Sequence, residues 1–251
     1  MKNYIFITAR EQSSRLKKKC LKKFGNNNSV LSWVVKRTLS KKNLIPIICT
    51  GDKDINTNII DYAKRNNILY FSGPENNKIK RWYECGRQLN ISKFHALDCD
   101  DPFFDPQRLI DSLQLLEKES VEIILPSDYS DNGAATEGFS IRTDSLSFTS
   151  NLEDTADTEM CYSFFKKNLK TSMIDDPLYA IENIRLTLDY NEDYKFLNYL
   201  AKIFQNDVPR SEIETYIQKN YKETPNFSVN RLWKDKQNNK TKETYENFSR
   251  A

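Results

Sequence analysis

The chain of 251 residues contains one histidine, and its five cysteines are scattered without a Cys-x-x-Cys pair. Structural zinc sites use clustered cysteine and histidine, so the sequence offers no pattern for one. Dispersed cysteines also suit a reducing cytoplasmic compartment better than a disulfide framework. No apolar run approaches the roughly 20 residues that span a bilayer, and no signal peptide precedes the first predicted strand. We therefore expect a cytoplasmic protein without a membrane partner.

Excess charge of one sign is also missing. The formal net charge is +3, although 29% of the residues are charged. Nucleic-acid binding by bulk electrostatics needs a more basic molecule, so we expect no nucleic-acid partner. The hydrophobic fraction of 38% is typical of a globular protein. The length allows one large α/β domain or two small ones.

Strand and helix patterns alternate through the first half of the chain. The predicted strands are residues 4–8, 44–50, 68–71, 94–97 and 121–125. The predicted helices are 29–39, with Ser29 as N-cap, 56–66, 78–89 and 106–118. This alternation predicts an α/β fold with a mainly parallel sheet covered by helices on both faces. In such sheets, ligands bind beyond the carboxyl ends of the strands.

The second half of the chain has a different pattern, beginning with a polar loop at 128–135. We predict strands at 138–142 and 185–188 and helices at 158–167, 192–203 and 210–219, with Asp157 as the N-cap of the first helix. The chain after Arg231 is polar, and we expect disorder at its very end.

The first predicted strand opens into a loop of hydroxyls and cations. Residues 7–19 read Ile-Thr-Ala-Arg-Glu-Gln-Ser-Ser-Arg-Leu-Lys-Lys-Lys. Ser13 and Ser14 supply short donors, and Arg15 and Lys19 supply charge that can neutralise a polyphosphate. Most basic clusters are only solvated surface, so this spacing alone leaves both interpretations open.

Acidic residues follow the predicted strand 94–97. Asp98, Asp100 and Asp101 lie directly after it, and oxygen ligands of this kind suit Mg²⁺. Asp105 precedes Pro106 and is more simply a helix N-cap. The only histidine, His95, lies on the same strand, and we predict a buried structural role for it.

A third acidic segment follows the predicted strand 185–188. Asp189 would end this strand. Glu192 and Asp193 fall in the first turn of the next predicted helix, where the helix dipole favours acids.

Together these segments resemble bacterial cytidylyltransferases, which include the acylneuraminate and 3-deoxy-manno-octulosonate enzymes, and most closely the spore-coat-polysaccharide branch. The loop is similar to the family's A-R-x-G-S-S-R-L-x-x-K-x-L, the segment at 98–106 to G-D-x-P-x-x-D-P, and that at 185–193 to R-L-T-V-D-x-x-E-D. Three motifs in the right order, over roughly residues 4–220, are more specific than any one of them. The resemblance implies the nucleotide-diphospho-sugar transferase fold, which is GT-A or Rossmann-like.

The resemblance also implies Mg²⁺-dependent transfer of CMP from CTP to a small acidic acceptor, with release of pyrophosphate, for surface polysaccharide synthesis. It implies one domain over residues 1–230, with a nucleotide half to about 126, an acceptor half from 127, and a polar tail at 231–251. A homodimer is compatible with it. The implied nucleotide contacts are Ala9, Arg10, Ser13, Ser14, Arg15, Lys19, Gly73 and Arg81, of which Arg15 and Lys19 act in catalysis with Asp100. The implied metal ligands are Asp100 and Asp189, and the acceptor contacts are Asp98, Glu137 and Glu159. We expect Lys19 to be exposed.

Several positions depart from the family's pattern, and four of them bear most on activity. Gln12 stands where the family has Gly, and Ala96, Ala135 and Met160 replace Arg, Asp and His. The lost carboxylate and imidazole predict an unusual acceptor rather than sialic acid. An acceptor hydroxyl would give a CMP-linked product, and an acceptor phosphate or phosphonate a CDP-linked one.

Two alternative functions remain at this point. Asp98-Cys99-Asp100 supplies the Asp-x-Asp motif of a glycosyltransferase of the same fold. The four departures suggest a non-catalytic nucleotide-binding protein.

Overall fold

A seven-stranded sheet forms the centre of the molecule, which a computed structural model describes for residues 2–249. The strands are β1 (Asn3–Ala9), β2 (Leu44–Thr50), β3 (Leu69–Ser72), β4 (Lys93–Asp98), β5 (Ile123–Leu125), β6 (Phe139–Arg142) and β7 (Thr171–Met173). The helices are α1 (Val30–Leu39), α2 (Thr57–Arg65), α3 (Lys78–Gln88), α4 (Pro106–Lys118), α5 (Tyr162–Asn168), α6 (Asn191–Ile203), α7 (Arg210–Asn220) and α8 (Asn230–Ser249). Within the described residues, no helix is long and apolar enough to cross a membrane.

The strands lie in the order β3-β2-β1-β4-β6-β5-β7. All neighbours pair in parallel except β6, which runs antiparallel to both β4 and β5. The mainly parallel α/β sheet predicted from the sequence is therefore confirmed. The chain builds outward from β1 to β3 and then returns to place β4 on the other side of β1. The order of strands thus reverses between β1 and β4, which is where open sheets of this kind bind ligands.

Apolar side chains pack on both faces of the sheet. Alternation along β1 directs Ile5 and Ile7 into one cluster, with Trp33 of α1, and Phe6 into the other, with Trp82 of α3. The side chains named here are at most 1% exposed, and each contributes about 1.5–3 kcal/mol through burial. The predicted covering of both faces by helices is therefore confirmed.

Two predicted helix caps are confirmed. The hydroxyl of Ser29 accepts a hydrogen bond from the Ser32 N–H at 3.0 Å, at the start of α1. The carboxylate of Asp105 accepts one from the Gln107 N–H at 2.9 Å, with Pro106 in the first turn of α4. Both caps satisfy N–H groups that the helix leaves free.

The predicted strand at 185–188 is wrong. Leu186 donates a backbone hydrogen bond to Gly133 and Leu188 donates one to Asp100, at 2.8 and 2.7 Å, but no ladder forms. The alternating Arg-Leu-Thr-Leu pattern is typical of a strand. Here, however, the segment packs against loops, and it pairs with no sheet edge of the described chain. Asp189 therefore ends an extended segment and not a strand.

Two further predictions in the second half are wrong. The helix predicted from residue 158 begins only at Tyr162, and Asp157 is not its N-cap. Instead the Asp157 carboxylate accepts from the Glu159 N–H at 3.0 Å, a local turn that competes with helix formation. Strand β7 was not predicted, because three residues are too few to show alternation.

The polar C-terminal segment forms α8, which reaches Ser249. The disorder predicted for the very end of the chain concerns residues 250 and 251, which lie outside the described residues.

His95 is fully buried in β4, as predicted. The Gly138 N–H donates to its Nε2 at 3.2 Å, so the proton of the neutral ring lies on Nδ1, which donates to the Ser140 hydroxyl at 2.9 Å. Burial lowers the pKa of His95 to about 3. The imidazole is therefore neutral and structural.

We expect His95 to make stability depend on pH. Below pH about 6.5 the histidine of the unfolded chain is protonated, whereas buried His95 in the folded protein stays neutral. The free energy of unfolding therefore falls by up to about 1.4 kcal/mol per pH unit as the pH drops. Urea unfolding at pH about 7.5, 6 and 5 would measure it. His95→Gln is the control, since its amide offers a donor and an acceptor in place of the two ring nitrogens but does not titrate. Parallel pH profiles for the two proteins would contradict the assignment.

Candidate active site

Loops from two neighbouring strands flank the crevice between β1 and β4. Thr8 and Asp98 are paired across these parallel strands, so the loop after each strand leaves the sheet at the same edge. The basic loop at 10–19 and the acidic loop at 98–101 therefore face each other. The extended segment that ends in Asp189 lies against the second loop through the bond from Leu188 to Asp100.

Lys19 lies between two carboxylates that are distant in sequence. Its ammonium donates to Asp189 Oδ1 at 2.8 Å and also to Asp100 Oδ2. The Arg15 guanidinium donates to the same Asp189 oxygen at 2.8 Å. The Lys19 side chain is 13% exposed and that of Asp189 is 2% exposed, so Lys19 is not the exposed residue that the sequence predicted.

Burial and charge compete at these groups. For Asp189, burial works against the charged form, but Lys19 and Arg15 outweigh it and hold the pKa of the carboxyl below its ordinary value. For Asp100, burial and the adjacent Asp189 prevail over Lys19 and raise the pKa of the carboxyl. The two carboxylates raise the pKa of Lys19 against the cost of its burial. At neutral pH the cluster therefore contains a firm ion pair between Lys19 and Asp189.

Asp193 holds the segment that carries Asp189. Its carboxylate accepts from the Arg185 guanidinium at 2.8 and 2.9 Å, and from the backbone N–H groups of Asp189 and Tyr190, each at 2.9 Å. Asp193 lies in the first turn of α6 as predicted, but it is fully buried and does more than favour the helix dipole. Sequence reasoning missed this positioning role.

A cavity of about 330 Å³, here called the first cavity, lies over the cluster. It is lined by Thr8, Arg10, Gln12, Ser13, Ser14, Arg15, Lys19, Cys20, Asn76, Lys78, Asp98, Asp100, Glu159, Met160, Lys236, Gln237 and Lys240. A second cavity of about 460 Å³ shares part of this wall. Its other lining residues include Trp82, Ala96, Asp131, Ala135, Glu137, Phe139, Tyr162, Asp189, Trp233 and Thr241.

The structure brings most of the predicted site residues to these cavities. Those at the first cavity are Arg10, Ser13, Ser14, Arg15, Lys19, Asp98, Asp100 and Glu159. Glu137 and Asp189 lie at the second. Each predicted acceptor carboxylate already has a basic partner: Lys78 lies 3.3 Å from Asp98, Arg108 lies 2.7 Å from Glu137, and Arg10 lies 3.3 Å from Glu159.

Three predicted nucleotide contacts line neither cavity. Arg81 is fully buried and donates to the Glu75 carbonyl at 3.1 Å. The Ala9 carbonyl accepts from the Thr50 hydroxyl at 2.8 Å, and a Cβ at Gly73 would approach Phe71 to 2.7 Å. These residues shape the loops around the site, and a direct contact with nucleotide stays a prediction for them.

The departure at Gln12 places no strain on the loop. Gln12 is absent from the described residues with left-handed backbone conformation, so a glycine is not required there. Lys18 does adopt that conformation, with φ of 52°. It is Lys18, not Gln12, that takes the conformation for which glycine is best suited.

Helix α8 supplies lining residues that sequence reasoning missed. Lys236, Gln237 and Lys240 reach the first cavity, and Trp233 and Thr241 reach the second. No motif identifies them. The sequence did contain one indication: Trp233, Gln237 and Thr241 are four residues apart, and residues at that spacing lie on one face of a helix.

A divalent cation fits the donor set at the cluster. Within the described residues, no three His, Cys, Asp or Glu side chains are grouped as a ready metal site. Yet Asp100 and Asp189 both reach the Lys19 ammonium, so two carboxylates already converge on one positive charge. Mg²⁺ is commonly held by one or two carboxylates together with substrate phosphates and water.

Comparisons with known proteins identify the family of the chain. A model of the family described as cytidylyltransferase matches residues 4–239, which extends past residue 230 into α8. No curated protein sequence matches the chain. A solved cytidylyltransferase from Leptospira borgpetersenii serovar Hardjo-bovis is similar to it, with 22% identity and a TM-score of 0.75 over 88% of this chain and 95% of that one.

Two more distant structures share the fold. One is a CMP:2-keto-3-deoxy-manno-octonic acid synthetase complexed with CTP, with 14% identity and a TM-score of 0.58 over 80% of this chain and 98% of that one. The other is a manganese complex of a Mycobacterium tuberculosis H37Rv protein, with 11% identity and a TM-score of 0.54 over 79% and 98%. The nucleotide-diphospho-sugar transferase-like fold predicted from the sequence is confirmed. Because the family model matches nearly the whole chain, the protein belongs to the cytidylyltransferase family and is a nucleotidyltransferase.

Proposed function

We propose that this enzyme transfers CMP from CTP to a small acidic acceptor, with Mg²⁺ as cofactor and pyrophosphate as the second product. The observation that carries the proposal is the convergence of Arg15, Lys19, Asp100 and Asp189 beside a cavity at the β1–β4 crevice. The CTP in one structural neighbour and the manganese in another support the choice of nucleotide and of a divalent metal. A cytoplasmic role in surface polysaccharide synthesis is part of the proposal.

The basic loop would hold the triphosphate. Ser13 and Ser14 line the first cavity with hydroxyl donors, and Arg15 and Lys19 add two positive charges. An acceptor oxygen attacks the α-phosphorus, a new phosphorus–oxygen bond forms, and the bond to pyrophosphate breaks. Negative charge then grows on the leaving pyrophosphate, where Lys19 and Arg15 stabilise it. Alignment and charge stabilisation of this kind supply most of the rate enhancement in phosphoryl transfer.

Asp100 and Asp189 are the residues that would hold Mg²⁺. When bound, the cation would neutralise phosphate charge and help to orient the triphosphate. The low pKa of Asp189 keeps that carboxylate charged and ready for a cation across the neutral pH range. The alternative of a glycosyltransferase, suggested by Asp98-Cys99-Asp100, is disfavoured by the family match and by the basic loop, whose hydroxyls and cations suit a triphosphate.

We predict an acceptor other than sialic acid or 3-deoxy-manno-octulosonate. Ala135 and Met160 both lie at the second cavity, where each replaces a polar family residue. A site built to hydrogen-bond a substrate group rejects analogues without that bonding by about four powers of ten in good cases, and a pocket that lacks a partner for a substrate polar group lowers turnover by about two powers of ten. The true acceptor should be another acidic metabolite, such as one carrying a phosphate or phosphonate.

Pyrophosphate release, measured with each of the four NTPs against a panel of sugar acids, phosphates and phosphonates, tests function and acceptor together. We expect release with CTP and with a phosphorylated or phosphonate acceptor. A kcat/KM for sialic acid of about 10⁴ M⁻¹s⁻¹ or above would overturn the acceptor prediction. Release with ATP, GTP or UTP in preference to CTP would overturn the proposed nucleotide.

A further inference from the structure

Helix α8 forms part of the wall of both cavities. Trp233, Gln237 and Thr241 are spaced four residues apart and so lie on one face, with Lys240 beside them. Gln237 lines both cavities, and Lys240 lines the first. The helix therefore presents polar and cationic side chains to the region that the proposed function assigns to substrates.

The contacts of α8 that involve its described side chains are mostly polar. None of its described side chains belongs to the hydrophobic clusters of the protein. Near its start, Asn230 accepts from Arg185 at 3.1 Å, and the Trp233 ring lies 5.0 Å from the Arg185 guanidinium. Further along, Lys240 contacts Glu159 and lies 3.4 Å from Asp157. Few buried apolar contacts, as among the described residues of α8, are typical of elements that open locally.

Glu159 lies between two cations from opposite ends of the chain. Its Oε2 atom accepts from Arg10 at 3.3 Å and also from Lys240. Burial alone would raise the pKa of this carboxyl, but Lys240, Lys78 and Arg10 outweigh it and lower the pKa to about 2. The position between Arg10 and Lys240 therefore favours an anion.

The first cavity has more positive than negative side chains. Six cations and three carboxylates of the described chain line it. At the junction of the two cavities, the Oε1 atom of Gln237 is buried and has no hydrogen-bond partner among the described residues. A buried acceptor without a partner is costly, so a ligand hydroxyl or amine that donates to it would be favoured.

We propose that α8 is a lid that carries part of the substrate site. Arg10 and Lys240 hold a phosphoryl or carboxylate oxyanion of the substrate, and Glu159 occupies that position when substrate is absent. Gln237 accepts a hydrogen bond from a substrate hydroxyl or amine. The proposal rests on the proposed function only for the identity of the substrates.

The lid is tested by isothermal titration of two probes. Pyrophosphate, added to the Mg²⁺-containing protein, reports on the nucleotide phosphates, and inorganic phosphate, added to CTP-saturated protein, reports on the acceptor side. For one of these probes, Lys240→Gln should weaken binding about 10-fold, as expected for loss of a charged hydrogen bond. Glu159→Gln should tighten binding of the same probe by a similar factor, since it removes the internal competitor. Lys242→Gln, an exposed lysine on the same helix that lines neither cavity, is the matched control and should leave binding unchanged.

Hydrogen exchange gives a second readout. The same probe should slow exchange of the α8 amides in the wild type and do so less in Lys240→Gln. Unchanged binding of both probes in Lys240→Gln, or weaker binding in Glu159→Gln, would overturn the lid. Failure of the wild type to bind CTP would instead overturn the proposed function.

Discussion

Lys19→Met is expected to slow pyrophosphate release by about two to four powers of ten. The Lys19 ammonium is the point on which Asp100 and Asp189 converge, and no other described side chain contacts both carboxylates. Without it, charge that grows on the leaving pyrophosphate loses one of the two cations that the proposed function assigns to it. A steady-state assay with CTP and the working acceptor measures the change.

Lys19→Met should also lower the melting temperature, because Lys19 is largely buried between the two carboxylates. Removing the Lys19 charge leaves the buried carboxylates of Asp100 and Asp189 with less compensating positive charge. Lys19→Arg, which keeps the charge, separates this loss of stability from the loss of catalysis. Lys17→Met is the matched control, since Lys17 is exposed and lines neither cavity. Equal rates for Lys19→Met and Lys17→Met would remove the basic loop from catalysis.

Asp189→Asn is expected to reduce the rate by about two to three powers of ten and to raise the Mg²⁺ concentration needed for half-maximal activity. Asp189 is 2% exposed and charged at neutral pH, and it accepts from both Arg15 and Lys19. The amide keeps the size of the side chain but removes the charge that would hold the cation. CTP binding should survive in part, because Ser13, Ser14 and Arg15 remain.

Glu192→Gln controls for a general loss of negative charge near Asp189, since Glu192 is exposed three residues away. It should leave both the rate and the Mg²⁺ dependence unchanged. An Asp189→Asn enzyme with the wild-type Mg²⁺ dependence would contradict the metal assignment. A structure with CTP and metal that places Asp189 beyond one water shell of the cation would do the same.

The first four strands and the helices between them could be predicted from the sequence. Their apolar runs are long, their caps are local, and Ser29 and Asp105 act within a few residues of themselves. In the second half the elements are shorter and depend on distant neighbours. The segment 185–188 has the alternating pattern of a strand, but it forms only one backbone hydrogen bond with each of the loops at Gly133 and Asp100. It therefore joins no sheet.

The site divides in the same way. The sequence by itself determined the family, the parallel sheet and the place of the basic and acidic loops, because a loop that follows a parallel strand must leave at that strand's carboxyl end. Only the tertiary structure decided that Lys19 is buried between Asp100 and Asp189, that Asp193 holds the segment carrying Asp189, and that α8 brings Lys240 to Glu159. The physical reason is that burial and ion pairing depend on which residues meet in space. Lys19 and Asp189 are 170 positions apart along the chain, and Lys240 and Glu159 are 81 apart, so no local sequence pattern reveals these pairs.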